Sequence, residues 1–186
     1  MSDHHHHDRT QPTASTLTPT GKLTTTGARP TVRLDRDLSD SPSTVWRALT
    51  DPAELKAWFP SEIVTERWEV GAQLTFVFPE NPQFTMTGTV LELDEPRLLV
   101  YTWGDDTLRF ELTATESGGT HLVLIDELAP GVAARTAAGW QLCLERLAGT
   151  VPPRDAWRPL FQQYTAAFEP ELGPQEGPPA GFKDRT

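Results

Sequence analysis

The chain has 186 residues, a formal net charge of −10, 17 prolines, 13 glycines and a single cysteine, Cys143. That length suits one domain with tails, and the lone cysteine excludes an internal disulfide. The acidic excess falls between residues 31 and 169, where it repels phosphate backbones and argues against nucleic acid as a partner. No run approaches the ~18 apolar residues of a membrane span, and the N-terminus lacks an apolar signal core. A soluble, cytoplasmic protein with no membrane insertion is expected.

Residues 1–30 are rich in threonine and nearly devoid of large apolar side chains. Such a stretch buries too little surface to offset its ordering entropy, so it reads as a disordered arm. His4 to His7 sit on that arm, where four adjacent imidazoles define no metal site. At Thr31 the pattern changes: TVRLDRDLS alternates apolar and polar residues, the mark of a half-buried strand. Ser41 or Ser43 can cap a short helix with Pro42 near its first turn, carrying Val45, Trp46 and Leu49. Asp51 and Pro52 open a second short helix that carries Leu55, Trp58 and Phe59, and Pro60 ends it.

Six strand-like runs follow: EIVTERW, AQLTFVF, FTMTGTVLELD, RLLVYTW, TLRFELTAT and THLVLIDEL. Turn residues separate them closely enough to dictate an antiparallel meander. After Pro130-Gly131 the period becomes helical, with Ala133, Ala137, Trp140, Leu144 and Leu147 on one stripe and Gly149 as a stop. A second amphipathic helix is expected within 150–169, bearing Trp157, Leu160, Phe161, Tyr164 and Phe168; Pro159 is tolerable in its first turn. Its stripe calls for cover, either from its own domain or from a second copy, which makes a homodimer through residues 155–169 one expectation. Residues 170–186, rich in Gly and Pro, read as a disordered tail.

In order, the chain offers SPSTVWRALTDPAELKAWFP, the V-G-x-x-L-x-F of Val70–Phe76, GTVLELDEP from Gly88, LVYTW from Leu99, GTHL from Gly119, and G-W-x-x-x-L-x-x-L from Gly139. Together these resemble the START-like (SRPBCC) superfamily over residues 31–149. They look most like the branch named for the C-terminal domain of the activator of the ninety-kilodalton heat-shock protein ATPase. The resemblance implies an α+β, helix-grip fold: a curved antiparallel sheet of about seven strands wrapped on a long C-terminal helix, with two short helices after the first strand. It also implies a hydrophobic cavity between sheet and helix. Members of the superfamily include binders of hydrophobic small molecules, polyketide cyclase-like enzymes and proteins of unknown role.

The cavity candidates are Trp58, Phe59, Phe76, Phe78, Met86, Tyr101, Trp103, Phe110, Leu124, Asp126, Trp140 and Leu144. Large apolar residues fill a core as readily as they line a pocket, so the helix stripe serves either reading. Trp46 is assigned to the core, and Trp58 with Phe59 to the mouth of a pocket. In THLVLIDEL both faces are apolar, and the choice of Leu122, Leu124 and Asp126 as inward follows the resemblance. An inward Asp126 would have a raised pKa and could act as acid or base; a strand-end carboxylate in solvent is the plainer alternative. His121 faces away by parity and has no metal or triad partner in sequence. Cys143 reads as a small buried hydrophobe. There is no phosphate loop, nucleophile elbow or metal-ligand spacing, and hence no cofactor signature. The expected function is binding of a hydrophobic or aromatic small molecule. The alternatives are a cyclase or dehydratase using Tyr101 and Asp126, and a chaperone-associated or self-associating protein.

Overall fold

In a computed structural model, residues 17–178 are described. The expectations for His4–His7 and the extreme tails lie outside them. The strands are β1 (Lys22–Thr24), β2 (Thr31–Leu38), β3 (Glu62–Val64), β4 (Gln73–Val77), β5 (Thr85–Asp94), β6 (Leu98–Trp103), β7 (Asp106–Ala114) and β8 (Thr120–Glu127). They form one unclosed antiparallel sheet in the order β1-β2-β8-β7-β6-β5-β4-β3. The register of β5 against β6 shifts between Val90 and Glu92, a bulge that bends a sheet and increases its twist.

Period 2 sorts the two faces. Val32, Leu34, Leu108, Phe110, Leu112, Leu122 and Leu124 are buried on the inner face. The outer face carries ion pairs: Arg33 with Asp35, Arg109 with Glu111 and Glu92, and His121 with Asp35 and Asp37. Two short helices follow β2, α1 (Pro42–Thr50) and α2 (Pro52–Leu55). Ser41 caps α1 by accepting from the Thr44 amide, and Asp51 caps α2 by accepting from the Ala53 and Glu54 amides. After a 3₁₀ turn at Pro130–Val132 comes the long helix α3 (Ala133–Leu147), then α4 (Trp157–Leu172). On α3, Ala133, Ala137, Trp140 and Leu144 are all buried, as the stripe predicts.

Two expectations are corrected. Residues 17–30, read as part of a disordered arm, contain β1, which pairs with β2. This segment is held from afar. Gln141 of α3 accepts from the Thr20 amide and donates to the Thr18 carbonyl. The Tyr164 hydroxyl of α4 accepts from the Gly21 amide and donates to Gln141. The tail also begins later than expected. The last helix runs to Leu172, and beyond it Gln175 accepts from the Ala134 amide while the Glu176 amide donates to the Gly131 carbonyl. The aromatic stripe of α4 finds its cover within the chain, where Trp157, Leu160, Tyr164 and Phe168 are buried against α3.

Candidate functional site

Trp58 and Phe59 arrive at the end of α2 because Asp51 and Pro52 start a helix that lasts only one turn before Pro60. The Trp58 indole N–H donates to the Ala48 carbonyl at 2.8 Å, fixing the ring against α1. From there a continuous cluster of rings crosses the inner face of the sheet. Phe59 meets Trp103 edge-on at 5.2 Å and Trp140 at 5.6 Å. Trp103 reaches Phe76 at 4.5 Å and Trp140 at 5.9 Å. Tyr101 packs between Phe76 and Phe110, and Trp58 meets Phe110 edge-on. Leu124 and Leu144 are buried beside them, and Met86 is half-buried, directly opposite Phe76 on the neighbouring strand. Trp46 is buried in the core, as assigned.

The rings that the sequence marks as cavity candidates thus pack largely against one another. Open space lies beside them, in a cleft of about 340 Å³. Of the twelve candidates, Trp58, Phe59 and Phe78 line it. Its floor is one stripe of α3, Gly139, Leu142, Cys143 and Arg146 at i, i+3, i+4 and i+7. Its far lip is the α3–α4 connection, with Pro153, Asp155 and Trp157. Asp155 is the one non-glycine with positive φ among the described residues, at 60°. Such backbone is sparsely populated, though Asp tolerates it better than most residues. A smaller cleft of about 200 Å³ lies on the other side of Trp58 and Arg146, beside α1.

Asp126 faces inward, as chosen, and is fully buried; the solvated strand-end alternative is set aside. Its Oδ2 accepts from the Trp140 indole N–H at 2.8 Å, while Oδ1 is buried with no hydrogen-bond partner among the described residues. Asp106, two residues before Leu108 and on the same face of β7, places its carboxyl beside that of Asp126. Burial, then the neighbouring Asp106, pushes the Asp126 carboxyl well above the usual range. Burial likewise raises Asp106, partly opposed by Arg29 and Arg135. Tyr101 is no partner to this acid. Tyr101 pairs with Leu108, and Leu108 with Asp126, so two strand spacings of ~4.8 Å separate their backbones. Burial alone pushes the Tyr101 hydroxyl up. Asp106 was legible as the continuation of Leu108, Phe110 and Leu112 to one more inward position, but its neighbours Gly104 and Asp105 mark it as a turn.

The family model for Activator of Hsp90 ATPase homolog 1-like proteins matches residues 40–152, well over half of the chain. The chain belongs to this family. Similar solved structures include a conserved protein of unknown function from Enterococcus faecalis, 24% identical with a TM-score of 0.69, covering 79% of this chain and 89% of that one. CalU16 from Micromonospora echinospora is 20% identical at a TM-score of 0.63, over 82% and 94% of the two chains. A Chromobacterium violaceum protein is 28% identical at a TM-score of 0.54, over 66% and 98%. No curated protein matches the chain. The START-like helix-grip architecture expected from the motifs is therefore the fold of this AHSA1-like protein. The match spans α1 to the end of α3, so β1, β2 and α4 are flanking structure. The cleft straddles that boundary: Trp58, Phe59, Phe78 and the α3 stripe lie inside the match, while Pro153, Asp155 and Trp157 lie beyond it. Among the described residues no group of His, Cys, Asp and Glu is placed to hold a metal ion, and no helix is long and apolar enough to cross a membrane.

Proposed function

We propose that the protein binds an apolar or aromatic small molecule in the cleft beside Trp58, Phe59 and Phe78. The observation that carries this reading is the cleft itself, about 340 Å³ and walled by Trp58, Phe59, Phe78, Leu142 and Trp157. Small-molecule sites run from ~300 to 1,000 Å³, with mostly apolar walls and a few polar groups. Phe59 and Trp58 belong to both the cleft and the ring cluster, so a planar ligand could extend the edge-to-face packing already present. The AHSA1-like fold supports the same reading.

Turnover is the weaker reading. The buried carboxyls of Asp106 and Asp126, both raised by burial, could supply an acid, but the Trp140 ring stands between Asp126 and Phe59, on the cleft side. Tyr101 lies a strand away from Asp126 and cannot join it across one bond. The test is fluorescence titration with N-phenyl-1-naphthylamine, a neutral aromatic probe, alongside native mass spectrometry of the gently purified protein. Saturable one-to-one binding, weakened several-fold in Phe78→Ala with the fold retained, is the expected result. Absence of saturable binding, with no co-purifying mass, overturns the reading.

A further inference from the structure

We infer that the cleft takes an organic anion, an apolar body carrying one carboxylate, sulfonate or phosphate, with Arg146 as the charge partner and Gly139 holding the place of the body. The inference rests on the binding reading above and adds the ligand's class. Arg146 borders both clefts and is half-buried, whereas Lys56, Glu80 and Asp155, the other charged residues of the larger cleft, are exposed. Among the described residues its side chain has no ion pair or hydrogen bond. A partly desolvated guanidinium attracts an anion more strongly than fully solvated cations do. Its planar fork matches a carboxylate, sulfonate or phosphate in two-point contact.

Gly139 supplies the second observation. Glycine is a poor residue for the middle of a helix, and here no close approach calls for it. A Cβ built at Gly139 would meet nothing within 4 Å, and the open space above it is the cleft. Gly139 and Arg146 lie two turns apart on one stripe of α3. Body and charge would therefore lie along the helix, the body over Gly139 between Phe59 and Leu142, the charge at the C-terminal turn. The chain's net charge of −10 disfavours anions everywhere else, so a preference for an anion must arise locally.

The experiment compares 8-anilinonaphthalene-1-sulfonate with its neutral parent N-phenyl-1-naphthylamine, on the full chain. The sulfonate is expected to bind about tenfold more tightly, the scale of one charge-assisted contact. Arg146→Gln should remove that preference, bringing the sulfonate's affinity down to that of the neutral probe. Gly139→Leu should abolish binding of both probes without lowering the melting temperature. Equal affinities, or a preference that survives Arg146→Gln, overturn the anion inference while leaving the binding reading intact. Sulfonate binding that persists in Gly139→Leu overturns the placement, and failure of both probes in the wild-type protein overturns the binding reading itself.

Discussion

Two glycines show how one residue type answers opposite demands. A Cβ at Gly88 would lie 1.9 Å from the Thr102 carbonyl oxygen, so β5 and β6 can approach there only without a side chain. Gly88→Ala should cost roughly 1–3 kcal/mol, as overpacking does, whereas Gly139→Ala should gain roughly 0.5–1 kcal/mol from helix propensity. Urea midpoints of the two variants should move in opposite directions; movement in the same direction would refute this account of one of them. Asp126 makes a pH prediction. Its folded pKa is raised, so the native state keeps a proton that the unfolded chain releases, and stability falls as pH climbs from the ordinary carboxylate range toward the folded value. Arg29, Asp105, Arg135 and the Trp140 N–H are the polar and charged neighbours that set how far the pair is raised. Asp126→Asn, which keeps an acceptor for Trp140, should flatten that slope above about pH 4; an unchanged slope would place the proton elsewhere. His121 behaves in the opposite sense. Asp37 and then Asp35 raise its pKa, so its contribution is full below about pH 6.5 and is lost as pH rises through the folded value. Imidazole NMR titration should show that elevation, reduced in Asp37→Asn. The inward choice of Asp126 came from resemblance rather than from parity, since Val123, Leu124 and their neighbours give both faces of β8 an apolar centre.

Among the elements, period 2 and capping residues made most of the sheet and both short helices legible. Ser41 before Pro42 and Asp51 before Pro52 each state a helix start in two residues. The strand expected over EIVTERW stops at Val64 because Trp68 turns aside, donating to the Thr50 carbonyl and setting its ring near Tyr101. No local signal announces β1. Its three residues carry weak propensity, and Thr20 and Gly21 just before them are held by Gln141 and Tyr164, more than a hundred positions away. Composition argued for disorder, and long-range partners overrode it. Tyr164→Phe removes the acceptor for the half-buried Gly21 amide and should cost about 1 kcal/mol, the worth of one hydrogen bond. Hydrogen exchange should then quicken across residues 17–24 while the β7–β8 ladder stays protected. Uniform quickening would mean that the N-terminal segment and the sheet open as one unit.

At the scale of the molecule, the sequence indicated the right fold and the right face but not the open space. Phe76, Tyr101, Trp103 and Phe110 are inward as expected, yet they pack on one another, because filling and lining call for the same residue types. The cleft needed knowledge of where the α3–α4 connection passes, and that path is set by burial of the Trp157–Phe168 stripe rather than by any motif. A chain ending at residue 150 would lose the lip formed by Pro153, Asp155 and Trp157 and bare the α3 surface beneath Tyr164. Such a chain should self-associate on size-exclusion chromatography; a monomer with intact N-phenyl-1-naphthylamine binding would show that α4 is dispensable to both core and cleft. The sheet order also has a consequence in time. On its inner side β2 pairs only with β8, and 84 residues separate Asp37 from His121 across that ladder. At ~5–20 residues per second of synthesis, the nascent β2 waits roughly 4–17 s for its neighbour. Arg33, Asp35 and Asp37, which end as an ion-paired outer face, first serve a growing chain as charges that keep an unfinished edge from joining the wrong one.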